Sequence, residues 1–177
     1  MTIPLARCTL RPWRPSDEES LVHHADNRKI WRNLRDAFPN PYRPEDARAW
    51  IDLNAGVAPV RHFAIEVDGT AVGSVGVTPL QDVYRRSWEI GYWMGESFWG
   101  RGIMTEAVQS CTTYAFTTFD AVRIHAPVYA WNQASMRVLE KAGYQREGWL
   151  RASVWKDGQL VDSALYARIR DMERSTA

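Results

Sequence analysis

Along residues 7–13, R-C-T-L-R-P-W, polar and apolar positions alternate with the two-residue period of a half-buried strand. Pro15-Ser16-Asp17 then reads as a helix start, with Ser16 at the N-cap and Glu19 three residues on in capping-box spacing. Residues 27–42 are helical in part and broken by Pro39 and Pro41; Pro44-Glu45-Asp46 opens a further helix, which Gly56 closes. After that the pattern turns to strands. Residues 62–67 and 70–78 flank Asp68-Gly69, a tight hairpin turn, and residues 87–94 form a third strand. Ile103, Ala107, Cys111 and Ala115 recur every fourth position, which predicts a helix over 101–118. A strand over 122–129 precedes a helix over 132–141 that Gly143 ends. Two closing strands, 144–154 and 160–169, turn at Asp157-Gly158. This order predicts a single domain over 1–177 of the α+β or three-layer α/β class, a mixed sheet with helices on both faces.

Charge narrows the partners. Twenty-two Lys and Arg against 21 Asp and Glu leave a net charge of +1, evenly spread along the chain. No basic half or tail points to nucleic acid. Nine Trp within 45% hydrophobic content exclude disorder, and no apolar run reaches the ~18 residues of a membrane span. Arg7, Arg11 and Arg14 interrupt any signal-peptide apolar stretch. Two distant cysteines, Cys8 and Cys111, form no disulfide framework and suit a reducing cytoplasm. No metal site is expected. His23 and His24 are adjacent and diverge by about 100° on a helix, while His62 and His125 stand alone.

Chemistry concentrates in W-E-I-G-Y-W-M-G-E-S-F-W-G-R-G-I-M-T-E-A, residues 88–107. A strand ends near Met94 and a helix begins near Arg101, with Gly95, Gly100 and Gly102 between them. Helix N-termini expose unpaired N–H groups, and glycines let a phosphate come close to them. The segment suits an anion such as a pyrophosphate, with Arg101 and Thr105 as side-chain contacts; a plain glycine-rich turn is the alternative. A Rossmann reading finds Gly100-Arg101-Gly102 and Asp120, but Thr105 stands where its third glycine belongs and no βαβ unit surrounds it. A second segment, W-N-Q-A-S-M-R-V-L-E-K-A-G-Y (131–144), sets Asn132 at a helix start and Ser135 three residues on, on the same face.

Taken together, E-I-G-Y-W, F-W-G-R-G-I-M-T-E-A and N-Q-A-S-M-R-V-L-E-K-A-G-Y resemble the GNAT superfamily of N-acetyltransferases, and more narrowly its branch acting on ribosomal-protein N-termini. The resemblance runs from T-L-R-P-W to A-L-Y-A-R-I. It implies a mostly antiparallel sheet of about seven strands, acetyl-CoA as cosubstrate, and an amine acceptor. It further implies that the N–H groups of Trp99, Gly100, Arg101, Gly102, Met104 and Thr105 cradle the pyrophosphate. Trp99 and Met104 depart from the usual motif residues there. The Met94 backbone would bind the pantetheine arm or the thioester carbonyl, and Asn132 the pantetheine. Ser135 would protonate the leaving thiolate, since Leu139 lies near the place of the tyrosine that many members use.

The acceptor must be a free amine. An α-amino group, with a pKa of about 7.7–8.0, is partly neutral near pH 7, whereas lysine at about 10.4 is not. Glu147, in R-E-G-W, and Glu89, on the strand leading into the turn, are the two candidate bases. Related N-terminal acetyltransferases carry a glutamate at the position of Glu147. Trp31, Phe38, Tyr42 and Trp155 are candidate walls for the acceptor. Cys111 lies on an apolar helix stripe as an inert thiol, so direct transfer in a ternary complex is expected. A protein or peptide N-terminus is the favoured acceptor. A small-molecule amine and a non-catalytic acyl-CoA-binding module are the alternatives, and a homodimer is open.

Overall fold

A computed structural model describes residues 1–170. Its centre is one sheet of eight strands: β1 (Ile3–Pro4), β2 (Thr9–Arg11), β3 (His62–Val67), β4 (Thr70–Pro79), β5 (Ser87–Met94), β6 (Arg123–Tyr129), β7 (Gln145–Lys156) and β8 (Gln159–Ile169). Their order is β1-β2-β3-β4-β5-β6-β8-β7, and every neighbouring pair is antiparallel except β5–β6. The helices are α1 (Glu18–Ala25), α2 (Arg28–Trp31), α3 (Pro44–Asn54), α4 (Ile103–Thr118) and α5 (Gln133–Lys141).

Strand alternation sorts the core into two layers. Phe63 and Ile65 of β3 face one way, into a cluster with Ile90, Ile124, Ala107 and Leu139 beneath α4 and α5. Ala64 faces the other way, against Leu21, Ala25, Ala47 and Ile51 of α1 and α3. The predicted α4 stripe is buried, and its small residues Ala107, Cys111 and Ala115 let the helix lie close on the sheet. Both predicted hairpins turn on paired positive φ, Asp68-Gly69 at 49° and 80° and Asp157-Gly158 at 53° and 74°.

The expected mostly antiparallel sheet of about seven strands is present with eight, the short Ile3–Pro4 strand pairing with β2 at its edge. One local expectation gives way. Ser16 is not the cap of α1. Residues 15–17 form a 3-10 turn in which Asp17 Oδ2 accepts the Arg14 N–H at 2.9 Å. Asp17 is held there because its carboxylate also takes two 2.7 Å bonds from the guanidinium of fully buried Arg11. Tertiary pairing thus moves the helix start one residue past the local signal.

Candidate active site

The sheet is joined at β5–β6 over three residue pairs only: Ser87 with Arg123, Trp88 with Ile124 and Glu89 with His125. From Ile90 and Ala126 onward neither strand has a partner across this seam, so the sheet splits and leaves two unpaired backbone edges facing each other. A cleft of about 970 Å³ occupies the split. It runs from the start of α4 to a mouth under α2 and the residues that follow it.

At the α4 end, Gly100 and Gly102 sit at φ +75° and +78°, a left-handed backbone that turns the chain into the helix. A Cβ added at Gly102 would meet only the Arg7 side chain, at 3.6 Å, so backbone conformation rather than crowding selects glycine there. Glu106 accepts the Ala6 and Arg7 N–H groups at 3.0 Å and fastens the N-terminal segment to the first turn of α4. Trp99, Gly100, Arg101, Gly102, Met104 and Thr105 all line the cleft. So do Arg137 and Lys141, one helical turn apart on α5, which sequence reasoning passed over although their i,i+4 spacing puts them on one face. Unpaired helix N–H groups beside three cations fit a diphosphate-bearing donor. The Met94 backbone is partly engaged already, since the Trp99 indole donates to its carbonyl at 2.7 Å.

Two groups of side chains flank the closed end of the split. On the α4–α5 face, Asn132 caps α5 by accepting the Ser135 N–H at 3.1 Å, and the Ser135 hydroxyl lies 2.8 Å from that of Tyr92. Burial pushes the Tyr92 phenol well above its ordinary value, so it stays protonated. On the α1–α3 face, Glu89 receives one Arg35 nitrogen on both carboxylate oxygens, each at 2.6 Å. His125 Nε2 lies 3.8 Å behind it. Burial lowers the pKa of His125, leaving it neutral near pH 7.

Glu147 lies elsewhere. It sits on the outer strand β7, outside the cleft lining, and the Arg123 guanidinium grips both its oxygens, one at 2.7 Å. That grip holds its carboxyl below the usual range. Of the proposed acceptor walls, Phe38 and Tyr42 line the cleft. Trp31 instead packs under the Lys156 ammonium, 3.7 Å from its ring centre, and Trp155 is exposed on β7. Cys8 and Cys111 are free, buried and absent from the cleft lining, and burial pushes their thiols up to about 11 and about 12. Tyr92 and Arg35 had no assigned role in the sequence. The alternation Ile90, Tyr92, Met94 was enough to turn Tyr92 toward α5; nothing local marked Arg35.

Fold and cleft together define a group-transfer enzyme that holds an extended anionic donor in a split sheet. Residues 7–145 match the family model of the acetyltransferase (GNAT) domain. The chain belongs to this family and is an acetyl-CoA-dependent N-acetyltransferase. A putative ribosomal N-acetyltransferase, YdaF of Bacillus subtilis (strain 168), is 30% identical over 135 residues, 76% of this chain and 70% of its own. The spermidine N(1)-acetyltransferase of Escherichia coli (strain K12) is 27% identical over 149 residues, 82% and 78% of the two chains. Among solved structures, RimL, a ribosomal-protein alpha-N-acetyltransferase in complex with coenzyme A, is similar at TM-score 0.82 and 26% identity, covering 97% of this chain and 99% of that one. No helix among the described residues is long and apolar enough to cross a membrane.

Proposed function

We propose that this acetyltransferase acts on the α-amino group of a protein or peptide, by direct transfer from acetyl-CoA in a ternary complex within a single catalytic domain. The observation that carries the reading is the placing of two proton-handling groups on opposite faces of the sheet where it splits: Glu89 on one, the Ser135–Tyr92 pair on the other. A thioester held between the unpaired edges of β5 and β6 would lie between them. Its pantetheine amides would find hydrogen-bonding partners on those edges, as an added strand does.

In this reading Glu89 takes the proton from the acceptor ammonium. The freed amine forms the C–N bond and the C–S bond breaks; Ser135, backed by Tyr92, delivers a proton to the leaving thiolate, and the second proton shed by the amide nitrogen restores the Ser135 hydroxyl. The N–H groups of residues 99–105, with Arg101, Arg137 and Lys141, hold the diphosphate end, and Asn132 borders the pantetheine path. Glu89 is preferred to Glu147 as base because it lines the cleft and Glu147 is held by Arg123 away from it. Two free, buried thiols fit a reducing cytoplasm.

Likeness to a spermidine acetyltransferase supports a small-molecule amine as the second reading. Acetyl-CoA consumption measured against free-amino-terminal peptides and polyamines decides between the two. Turnover of peptides is expected. Turnover of polyamines alone overturns the N-terminal reading, and absence of acetyl-CoA binding overturns both.

A further inference from the structure

We infer that Arg35 selects acceptors carrying a carboxylate beside the reacting amine, above all peptides whose first residue is Asp or Glu. The inference rests on the N-terminal reading above and adds a substrate class to it.

The starting point is the ion pair at the acceptor mouth. Arg35 occupies both oxygens of Glu89, the carboxylate that must receive the acceptor amine. Arg35 is two-thirds exposed, its side chain at 69%, so the pair is weak and open to exchange. An incoming ammonium can replace the guanidinium on Glu89, and the displaced guanidinium, open to solvent, is then free to take a second anion close by. Few carboxylates are within its surroundings. Among the described residues, the cleft lining holds only two carboxylates, Glu89 and Asp46, against the cations Lys29, Arg35, Arg101, Arg137 and Lys141. Asp46 is committed to the Arg43 N–H at the start of α3, at 2.8 Å. Asp36, the neighbour of Arg35 in the chain, is committed to the buried Lys156 ammonium at 2.6 Å.

An acceptor that brings both an ammonium for Glu89 and a carboxylate for Arg35 gives each member of the pair a new partner. Because Arg35 and Glu89 are in contact, those two groups must lie about one residue apart on the acceptor, as in an N-terminal Asp or Glu. A polyamine supplies cations alone. It offers Arg35 no anion, so the guanidinium beside Glu89 disfavours it where an acidic first residue is drawn in.

The test uses the whole protein with acetyl-CoA and tripeptides amidated at the C-terminus, so that the first side chain is the only carboxylate. The kcat/KM ratio of Glu-Ala-Ala-amide to Gln-Ala-Ala-amide should be about tenfold, the scale of one charge-assisted contact. Arg35→Gln should bring that ratio to about one, and Arg35→Lys should keep part of it, since an ammonium lacks the planar fork. Each ratio is taken within one protein, so a change in folded fraction cancels. Equal values for the two peptides in the unaltered enzyme, or a preference that survives Arg35→Gln, would overturn the inference and leave the N-terminal reading standing. Acetylation of spermidine with no peptide acetylated would remove the reading on which it rests.

Discussion

The hydroxyls of Tyr92 and Ser135 meet at 2.8 Å across the closed end of the split, joining β5 to the first turn of α5. The pairing gives Ser135 a partner that can pass it a proton or hold its hydroxyl in one orientation, which a serine alone in a helix turn lacks. Ser135→Ala should lower kcat by about 10²-fold or more, the scale of a lost positioned acid, with little change in the KM for acetyl-CoA. Tyr92→Phe should fall in the same direction, and the double variant should be little worse than the more damaged single one. Residues acting as one unit give such non-additive losses. Steady-state kinetics of the three variants checks this; full additivity would mean that the two hydroxyls act separately.

Glu89 and Glu147 make opposite predictions. Glu89→Gln should depress kcat/KM strongly, and most at low pH, where the acceptor amine is protonated and depends on a base. Glu147→Gln should turn over at close to the unaltered rate. It loses an exposed ion pair with Arg123, worth at most about 1 kcal/mol of stability. Rate against pH for both variants is the deciding measurement. A collapsed rate for Glu147→Gln would move the base to β7.

Gly102 combines a cofactor-facing position with φ +78°. Gly102→Val should therefore cost stability as well as affinity, about 1–3 kcal/mol for a branched residue held in the left-handed region. Relaxing that strain would also turn the first N–H groups of α4 away from the cleft. Calorimetry should show weakened acetyl-CoA binding in the protein that remains folded, and unchanged affinity would count against the anion cradle.

Much of this could be read along the chain. The hairpin turns, the α4 stripe and the N-cap at Asn132 are local, and the residues that make them are neighbours in sequence. The glycine-rich turn was legible for the same reason, because strand, turn and helix follow one another from Trp88 to Ala107. What stayed hidden depends on pairs far apart in sequence. Arg35 reaches Glu89 only after the segment following α2 folds across the sheet, and Tyr92 reaches Ser135 only through α5. Glu147 looked like a base from its place after α5, but Arg123, on a strand formed earlier in the chain, claims it. The start of α1 was misplaced for a like reason, since Asp17 answers to Arg11 as well as to its own helix.

That buried pair should be costly to break. Arg11 is almost wholly covered, and Asp17 supplies both its in-line bonds while Glu66 takes its Nε. Asp17→Asn keeps the shape but removes one charge, leaving the guanidinium with Glu66 alone. A loss of about 3 kcal/mol is expected, the lower end for breaking a buried pair, because Glu66 remains. Urea unfolding measures it; a loss below about 1 kcal/mol would place this pair with the exposed ones.

Stability should also fall as the medium becomes mildly acidic, and three histidines set the direction. Burial lowers the pKa of His24, His62 and His125 below the ordinary 6.5. His62 is pressed into space that Gly76 leaves open, where an added Cβ would stand 2.2 Å from its Nδ1, and Arg61 adds to the lowering. Burial lowers the pKa of His125 most, and Arg123 and Arg35 add to it; together they outweigh Glu89 and the Trp88 backbone, which raise it. His24 meets His23. Between the folded and unfolded pKa values the unfolded chain binds more protons than the folded one, so stability rises with pH through that window. The stabilising effect is complete above about pH 6.5 and drains away as pH falls through the lower, folded values, before most carboxylates titrate. Urea midpoints should therefore be lower at about pH 5.5 than at about pH 7.5, and the difference should shrink in a His62→Gln, His125→Gln double variant. A midpoint that does not move between those two pH values would mean that the buried histidines titrate as they do in the unfolded chain.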